Sequence, residues 1–252
     1  SRHLGLSIDE TFCFDAFADR VAEVIDKTVN VDRLLELCTV EFSGEQTEGV
    51  ICSGNKKIAI ARDEAFNFMY RENVEALKRA GEVVFFSPLH DKRLPDADLV
   101  YFPGGYPELY LPELAANEGM RQAVRKYCET GGRVLAECGG MMYLCDTITS
   151  DDGKVYPMAG VLKQGATMEQ MKLKLGYREV RVNGQRIRGH EFHYSRILPG
   201  HEKIPVIGTI YNAKDMVVDT PVYTYKNVLA SYIHFYWGEC GIDHFLMLMS
   251  QK

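Results

Sequence analysis

The sequence lacks long apolar runs, long blocks of one charge and a hydrophobic stretch at its start. No segment approaches the roughly 20 apolar residues that a membrane-crossing helix needs. The net charge of −6 is spread along the chain, so no basic surface for nucleic acid is indicated. The first residues, Ser1-Arg2-His3-Leu4, do not form a signal segment. These absences predict a cytoplasmic protein that binds neither membranes nor nucleic acids.

The cysteines are not spaced for a disulfide framework or a zinc site. They are odd in number, form no C-x-x-C pair and stand mostly in apolar surroundings. We therefore expect most of them to be small buried hydrophobes, and we expect no structural metal. The seven cysteines are at positions 13, 38, 52, 128, 138, 145 and 240.

The chain changes character near residue 55. Residues 15–38 repeat apolar side chains at helical spacing, and the polar stretch after them has the composition of a linker. We therefore predict a helical inter-domain segment and linker over residues 1–54. Residues 55–252 are predicted to form the main domain.

The first half of that domain alternates short apolar strands with helices. Such alternation is typical of an α/β fold with a mostly parallel sheet covered by helices on both faces. The second half is β-rich, and its patterns predict strands over residues 175–182, 186–197, 206–212 and 228–237. The first half predicts strands over 57–62, 83–87, 97–105 and 133–137, and helices over 73–82 and 111–132.

Cys138 lies on a tight turn between a predicted strand and a predicted helix, where ligands of parallel sheets bind. Its small neighbours, Ala136 and Gly140, permit a strained turn that presents a nucleophile. The dipole of the following helix favours the thiolate, and the Gly139 amide is free to donate to an oxyanion. The alternative is a buried structural cysteine in a tight turn.

A thiolate nucleophile needs a histidine base, which is commonly distant in sequence. His234 stands at the end of an apolar strand pattern and is the first candidate. His190 and His193 form a rival pair in the motif GHEFHYS, although strand histidines beside Glu191 are also typical of structural hydrogen bonds.

Gly104 and Gly105 end another predicted strand, in the motif VYFPGG. Glycines at a strand end let backbone amides approach a reacting carbonyl, as an oxyanion hole requires. The alternative is a plain Pro-Gly turn. The predicted strand is expected to flank the one that ends at Cys138, which favours the oxyanion hole.

Three stretches together resemble the class I, or triad, glutamine amidotransferases: FPGGYPE at 102–108, AECGGMMYL at 136–144 and SYIHFYW at 231–237. IAIARDEAFNFMY, GHEFHYS and RHLGL are similar to segments of one branch, the cobyrinic acid a,c-diamide synthases. The resemblance covers nearly the whole chain. It implies a flavodoxin-like α/β fold.

The resemblance implies that glutamine is hydrolysed through a cysteine thioester. Its ammonia would pass to an ATP-dependent ligase domain, which amidates the a and c carboxylates of the corrinoid cobyrinate in cobalamin synthesis. Hydrogenobyrinate and nickel-sirohydrochlorin are alternative acceptors. No G-x-x-x-x-G-K-[ST] loop occurs in the sequence. We therefore expect no cofactor in this chain, and ATP and Mg²⁺ in an N-terminal domain that the sequence does not contain.

The resemblance also assigns site residues. Cys138 matches the nucleophile and His234 the base, while Gly105 and Gly139 would supply oxyanion amides and Gly104 would hold the turn. Four further residues are expected near the domain interface or the ammonia route. For the stretch that contains Asp63, the alternative is a local role in which Asp63 caps a helix. This group comprises Arg62, Asp63, Asn67 and His190.

One position departs from the pattern of the family. Many triad amidotransferases carry a glutamate two residues after the histidine, where this chain has Tyr236. The orientation of His234 is therefore expected to come from elsewhere, with Glu239 as one candidate.

Two other classes of protein could carry an elbow cysteine. One is a DJ-1-like protein or cysteine peptidase, and the other is a binding domain without catalysis. A base almost a hundred residues downstream of Cys138, after a β-rich segment, favours the amidotransferase over the first class. The presence of Cys138, His234 and both glycine motifs argues against the second. Apolar faces in the β-rich half predict either docking to the ligase domain or a homodimer.

Overall fold

The computed structural model describes residues 14–40 and 56–238, which belong to two compact units. Residues 14–40 form two helices, α1 Phe14–Thr28 and α2 Val31–Cys38. The helical pattern over 15–38 is interrupted because Asn30 caps α2, its side-chain oxygen accepting the Arg33 N–H at 2.9 Å. The boundary predicted between residues 54 and 55 lies outside the described residues and stays a prediction. Within the described ranges, no helix is long and apolar enough to cross a bilayer.

Residues 56–238 begin with alternating strands and helices. In chain order these are β1 Lys56–Ala61, α3 Arg71–Ala80, β2 Gly81–Phe86, β3 Leu99–Phe102, a 3₁₀ turn Pro107–Leu109, α4 Leu111–Ala116, α5 Glu118–Glu129, β4 Arg133–Glu137 and α6 Gly139–Leu144. Only strands follow, namely β5 Cys145–Thr149, β6 Val155–Pro157, β7 Leu162–Thr167, β8 Lys174–Val182, β9 Gln185–His193, β10 Arg196–Leu198, β11 Thr209–Asn212, β12 Val222–Tyr225, β13 Val228–Ser231 and β14 Ile233–Phe235.

A six-stranded sheet forms the centre, in the order β12-β13-β4-β3-β1-β2. All neighbours are parallel except β12 and β13, which confirms the predicted mostly parallel α/β fold. Because β3 and β4 are neighbours, the loop after Phe102 and the turn after Glu137 meet at one edge of the sheet.

The two faces of the central sheet are covered differently. Residues of α4, α5 and α6 pack on one face, as predicted. On the other face, α3 is joined by apolar side chains of the β-rich half, including Val180, Ile187 and Ile233. A second sheet therefore supplies much of the cover on this face.

The β-rich half contains two four-stranded sheets, ordered β10-β7-β5-β6 and β11-β8-β9-β14. The long β8–β9 hairpin turns at Asn183 and Gly184, which both have positive φ. Asparagine followed by glycine is the common sequence of a two-residue hairpin turn, because both residues tolerate this backbone conformation.

Three predicted elements of residues 56–238 are each split in the structure. The strand predicted over 186–197 breaks after His193, so β9 pairs with β8 and β14 while β10 pairs with β7 in another sheet. The strand pattern over 228–237 breaks at Tyr232, so β13 joins the central sheet and β14 pairs with β9 in another sheet. The helix predicted over 111–132 breaks at Asn117. The side chain of Asn117 donates to the carbonyls of Pro88 and Asp91, each at 2.8 Å, which ties the break to the loop after β2.

Candidate active site

Cys138 occupies the turn between β4 and α6. Its backbone has φ 47° and ψ −107°, a conformation that is strained for any residue with a side chain. The Cys138 N–H donates to Ser231 O at 2.8 Å, and the Gly140 N–H donates to Pro103 O at 3.1 Å. A Cβ at Gly140 would overlap Phe102 O, so only glycine fits there. These contacts hold the strained turn in place.

Cys138 is buried, with only 7% of the residue exposed. Burial raises the pKa of this thiol well above its usual range. Glu108, Glu137 and Glu191 raise it further, while a hydrogen bond from the Gly139 amide lowers it. The hydrogen bond from Gly139, the first residue of α6, acts toward the thiolate, as predicted for the start of this helix, but desolvation outweighs it in this structure.

The sulfur of Cys138 has a long hydrogen bond to Phe192 O, at 3.9 Å. In the described part of the chain, no hydrogen bond joins this sulfur to His234. The Gly104-Gly105 loop lies instead between the imidazole and Gly139, the residue after Cys138.

Gly104 and Gly105 lie between His234 and the turn of Cys138. A Cβ on Gly104 would overlap Cε1 of His234 and would stand 2.9 Å from its Nδ1. A Cβ on Gly139 would stand 3.2 Å from the Gly105 nitrogen. The three glycines thus form one backbone surface, on which Pro107 also packs, its Cδ 2.7 Å from the Cβ position of Gly139.

Gly105 is constrained in a second way. Its φ of 155° lies in the range that favours glycine, and Ala65 O occupies the space that a Cβ would need. Within residues 56–238, the Gly105 amide donates to no backbone carbonyl. It is therefore available to a ligand.

His234 lies on β14, directly opposite His190 on β9. It is 4% exposed, and burial, with smaller contributions from His190 and His193, lowers its pKa to about 3. Its Nδ1 is buried without a hydrogen-bond partner among the described residues. The ring is consequently neutral at physiological pH and can accept a proton.

Two aromatic side chains that sequence reasoning missed surround the histidine pair. The ring of Phe68 packs edge-on against His234, with centroids 4.6 Å apart, and the Phe68 N–H donates to Gly104 O at 3.0 Å. The hydroxyl of Tyr70 shares a hydrogen bond of 2.7 Å with Nδ1 of His190. Both belong to the stretch IAIARDEAFNFMY, residues 58–70, whose resemblance to the synthase branch was the signal available in the sequence.

The rival histidine pair is divided between two environments. His190 stands beside His234, whereas Nδ1 of His193 bonds to Ser195 O at 2.8 Å. The ring of His193 stacks on Tyr232 at 3.6 Å, and burial lowers its pKa to about 4. His193 is thus held by its neighbours on the β9–β10 side of the site.

Arg62, Asp63 and Asn67 lie in the loop after β1. The Asp63 carboxylate accepts the N–H groups of Ala65 and Phe66 and also bonds to Ser87 and Leu89 beyond β2. Asp63 therefore ties two loops together and caps no helix; burial raises its pKa despite these bonds.

The other two side chains of this group also make local contacts. The guanidinium of Arg62 lies 5.0 Å from the centre of the Phe85 ring. The Asn67 amide donates to Glu64 O at 3.0 Å. A place near a domain interface or an ammonia route stays a prediction for all four residues of the group, His190 included.

Glu137, the residue before Cys138, is a further group that sequence reasoning missed. It is 1% exposed; one carboxyl oxygen accepts the Tyr101 hydroxyl at 2.8 Å and the other accepts the Phe235 N–H at 3.2 Å. Burial raises its pKa to about 8, although both hydrogen bonds oppose the shift. The only indication in the sequence was its position directly before Cys138, the proposed nucleophile.

Tyr236, which stands where a carboxylate was expected, packs its ring against Tyr70 with centroids 5.5 Å apart. Glu239, the suggested substitute, lies outside the described residues. Among residues 14–40 and 56–238, no cluster of three or more histidine, cysteine or acidic side chains could hold a metal ion.

Comparison with known proteins gives a family match over most of the chain. Residues 57–240 match the family described as the CobB/CobQ-like glutamine amidotransferase domain. The cobyrinate a,c-diamide synthase of Salmonella typhimurium is 34% identical over 94% of this chain and 55% of its own length. The hydrogenobyrinate a,c-diamide synthase of Pseudomonas aeruginosa is 37% identical, over 94% of this chain and 54% of its length. The chain thus spans about half the length of the curated relatives it matches.

A solved structure shares the fold at lower sequence identity. The structure of PurLQS from Thermotoga maritima superposes with a TM-score of 0.50 and 19% identity. The match covers 71% of this chain and 87% of that one. At this identity, the similarity extends to the fold alone.

Proposed function

This chain belongs to the CobB/CobQ-like glutamine amidotransferase family, and we propose that it hydrolyses glutamine with Cys138 as nucleophile and His234 as base. The observation that carries the proposal is the position of the Gly104-Gly105 loop. This loop contacts the ring of His234 on one side and Gly139, beside the nucleophile, on the other. A substrate carbonyl on this loop would face the thiol, the imidazole and two backbone amides together.

In the first half of the reaction, the Cys138 sulfur attacks the side-chain amide carbon of glutamine while His234 takes the thiol proton. The amides of Gly105 and Gly139 stabilise the resulting oxyanion. His234 then protonates the departing nitrogen, the C–N bond breaks, and ammonia leaves a thioester on Cys138. His234 is neutral and its Nδ1 has no hydrogen-bond partner among the described residues, so it can accept this proton, although its lowered pKa makes it a weak base in the unliganded site.

In the second half, water attacks the thioester carbon and gives up a proton to His234. The C–S bond breaks, glutamate leaves, and the proton returns to the Cys138 sulfur. The thiol and imidazole must approach each other when glutamine binds, since hydrogen bonds between catalytic groups are often long or absent in unliganded sites.

The carboxylates near Cys138 bear on the DJ-1-like or peptidase alternative. That alternative needs a carboxylate that acts on the sulfur. The oxygens of Glu137 are occupied by Tyr101 and Phe235, so this carboxyl group does not serve that role. The alternative therefore depends on Glu108 or Glu191, which also raise the pKa of the thiol.

For the whole enzyme, we propose that the ammonia amidates the a and c carboxylates of cobyrinate in cobalamin biosynthesis. Several relatives are cobyrinate a,c-diamide synthases, which supports cobyrinate, and hydrogenobyrinate or nickel-sirohydrochlorin would be alternative acceptors. ATP and Mg²⁺ would bind in a ligase domain that this sequence does not include. We also propose a cytoplasmic location, which the four free cysteines of the described residues support.

The glutaminase proposal is tested with 6-diazo-5-oxo-L-norleucine, a reactive mimic of glutamine. Mass spectrometry should find a single adduct on the peptide that contains Cys138. Cys138→Ala should give no adduct, and an excess of glutamine should slow labelling of the unsubstituted protein. Labelling at another cysteine, or none at Cys138, would contradict the proposal.

The acceptor is tested separately with the enzyme that contains both halves. ATP, Mg²⁺ and glutamine are supplied with cobyrinate, hydrogenobyrinate or nickel-sirohydrochlorin, and the diamide is measured. We expect diamide from cobyrinate at the highest kcat/KM. Light scattering on the same sample distinguishes a homodimer from a monomer.

A further inference from the structure

Glu137 is a buried acid that the reaction described above does not use. It is the last residue of β4, and the peptide bond after it leads directly to Cys138. Its side chain points to the face of the central sheet that carries Tyr101, opposite to the face on which Ala136 packs. A carboxyl group in this apolar layer is costly unless its oxygens are hydrogen-bonded.

The partners of Glu137 join three strands. Oε2 accepts the hydroxyl of Tyr101 on β3, at 2.8 Å, and Oε1 accepts the backbone N–H of Phe235 on β14, at 3.2 Å. Strand β14 belongs to a different sheet from β3 and β4. The carboxyl therefore links the sheet that carries the nucleophile to the sheet that carries the base.

The bond to Phe235 satisfies a sheet edge that would otherwise be buried and unpaired. Strand β14 is the last strand of its sheet, and its other edge pairs with β9. On the open edge, Glu137 accepts the Phe235 N–H, and Asn73 bonds to Phe235 O and to the Trp237 N–H. Without such partners, buried backbone groups would lose their hydrogen bonds to water and gain nothing in return.

We propose that Glu137 is the positioning residue that holds His234 at a fixed place relative to Cys138. The connection runs from Cys138 through one peptide bond to Glu137, through one hydrogen bond to Phe235, and through one peptide bond to His234. No hydrogen bond joins the thiol and the imidazole directly among the described residues, so their separation depends on such indirect links. Glu137 thus acts through the strand that bears the histidine. Many triad amidotransferases instead carry a glutamate two residues after the histidine, where this chain has Tyr236.

The proposal rests on the proposed glutamine hydrolysis and is tested with two substitutions that separate shape from charge. Glu137→Gln keeps the length of the side chain, so its carbonyl can accept the Phe235 N–H while its amide donates to the Tyr101 oxygen. Glu137→Asp keeps the carboxylate but is one methylene shorter, so it cannot reach both partners. Tyr101→Phe is the matched control, since it leaves the bond to Phe235 in place.

The first measurement is the rate of Cys138 labelling by 6-diazo-5-oxo-L-norleucine as a function of its concentration. We expect Glu137→Asp to lower the maximal rate by about 10²-fold, with a half-saturating concentration changed by less than about 3-fold. Glu137→Gln and Tyr101→Phe should stay within about 5-fold of the parent rate. A slow Gln variant beside a normal Asp variant would overturn the proposal, because the charge and not the shape would then matter. Equal rates in all variants would overturn it as well.

The second measurement does not depend on activity. In protein labelled with ¹³C-histidine, the Cε1 resonance of His234 is assigned by its loss in His234→Asn. We expect this resonance to move in Glu137→Asp and to stay in place in Glu137→Gln; no movement in either would overturn the proposal.

If the parent protein is not labelled but the resonance moves, the proposed function fails and the positioning role stands. If the Asp variant does not fold, as judged by circular dichroism, the Gln variant decides: a parent-like rate and resonance support the proposal, and a loss of either overturns it.

Discussion

The imidazole rings of His190 and His234 lie nearly parallel on neighbouring strands, with centroids 4.9 Å apart and an angle of 19° between the ring planes. A positive charge on either ring would be unfavourable for the other, and burial lowers the pKa of both. Only His190 has a hydrogen-bond partner for its Nδ1, the hydroxyl of Tyr70. The pair therefore combines a fixed neutral neighbour with a neutral ring whose Nδ1 makes no bond in the described structure.

This arrangement predicts unequal effects for the two histidines. His234→Ala should slow Cys138 labelling by about 10²-fold to 10⁴-fold, since it removes the proposed general base. His190→Ala should slow labelling by less than about 10-fold, because it removes a packing neighbour only. Rates with 6-diazo-5-oxo-L-norleucine provide the comparison. An equal loss in the two variants would mean that His190 takes part in proton transfer.

The contact between Gly104 and His234 predicts that even one methyl group is harmful there. In Gly104→Ala, the new Cβ would overlap the imidazole and must displace it. We expect a loss of labelling rate of about 10²-fold, as for a catalytic group moved by about 1 Å. Gly119→Ala is the matched control: its Cβ would meet only Lys92 O, at 3.5 Å, and should leave the rate unchanged.

The strand ends of the central sheet could be predicted from the sequence, because their apolar runs stop at Gly104 and at Cys138 and parallel strands place those ends together. The division between β13 and β14 could not. Residues 228–237 are apolar apart from Ser231 and His234, and both strands are buried, so periodicity carries no sign of a change of sheet. The break follows from long-range pairing with β4 on one side and β9 on the other.

The state of Cys138 was also beyond sequence reasoning. A helix that follows a cysteine can be recognised locally, whereas the desolvation that raises the thiol pKa comes from residues distant in the chain. For the same reason, Glu137 gives no sign in the sequence that its partners are Tyr101 and Phe235. Such partners are up to 98 positions away.

The buried thiol predicts slow reaction with a general alkylating agent. At pH 8, iodoacetamide should modify the exposed Cys38 well before Cys138, since a raised pKa leaves little thiolate and burial denies access. Peptide mapping by mass spectrometry measures both rates. The rate of modification of Cys138 should keep rising with pH beyond the point at which the rate of an ordinary thiol levels off. A Cys138 that reacts as fast as Cys38 would contradict the closed site.

Asp63 is predicted to matter for stability because it fixes two loops near the glycine surface. Asp63→Ala removes a carboxylate that accepts bonds from Ala65, Phe66, Ser87 and Leu89, so several donors lose their partner. We expect the free energy of unfolding to fall by about 2 kcal/mol or more. Urea unfolding gives this value, and Asp96→Ala, at an exposed side chain, is the control. Equal stability of the two variants would show that the four bonds contribute little.

Glu137 gives a prediction about pH. Its pKa is about 8 in the folded protein against an ordinary value of 4.5, so the folded state holds this proton more tightly than the unfolded state. The resulting stabilisation is complete below pH 4.5 and is lost as the pH rises through 8, by about 1 kcal/mol per pH unit at the steepest.

His193 and His234 have lowered pKa values and act in the opposite direction below pH 6.5, where protonation favours the unfolded state. Their effect cancels when the parent protein is compared with Glu137→Gln, which resembles the protonated acid at every pH. The difference in the free energy of unfolding, parent minus Gln variant, should therefore fall steadily between pH 4.5 and 8, as measured by urea unfolding. A difference that does not change with pH would show that Glu137 titrates in the folded protein as it does in water.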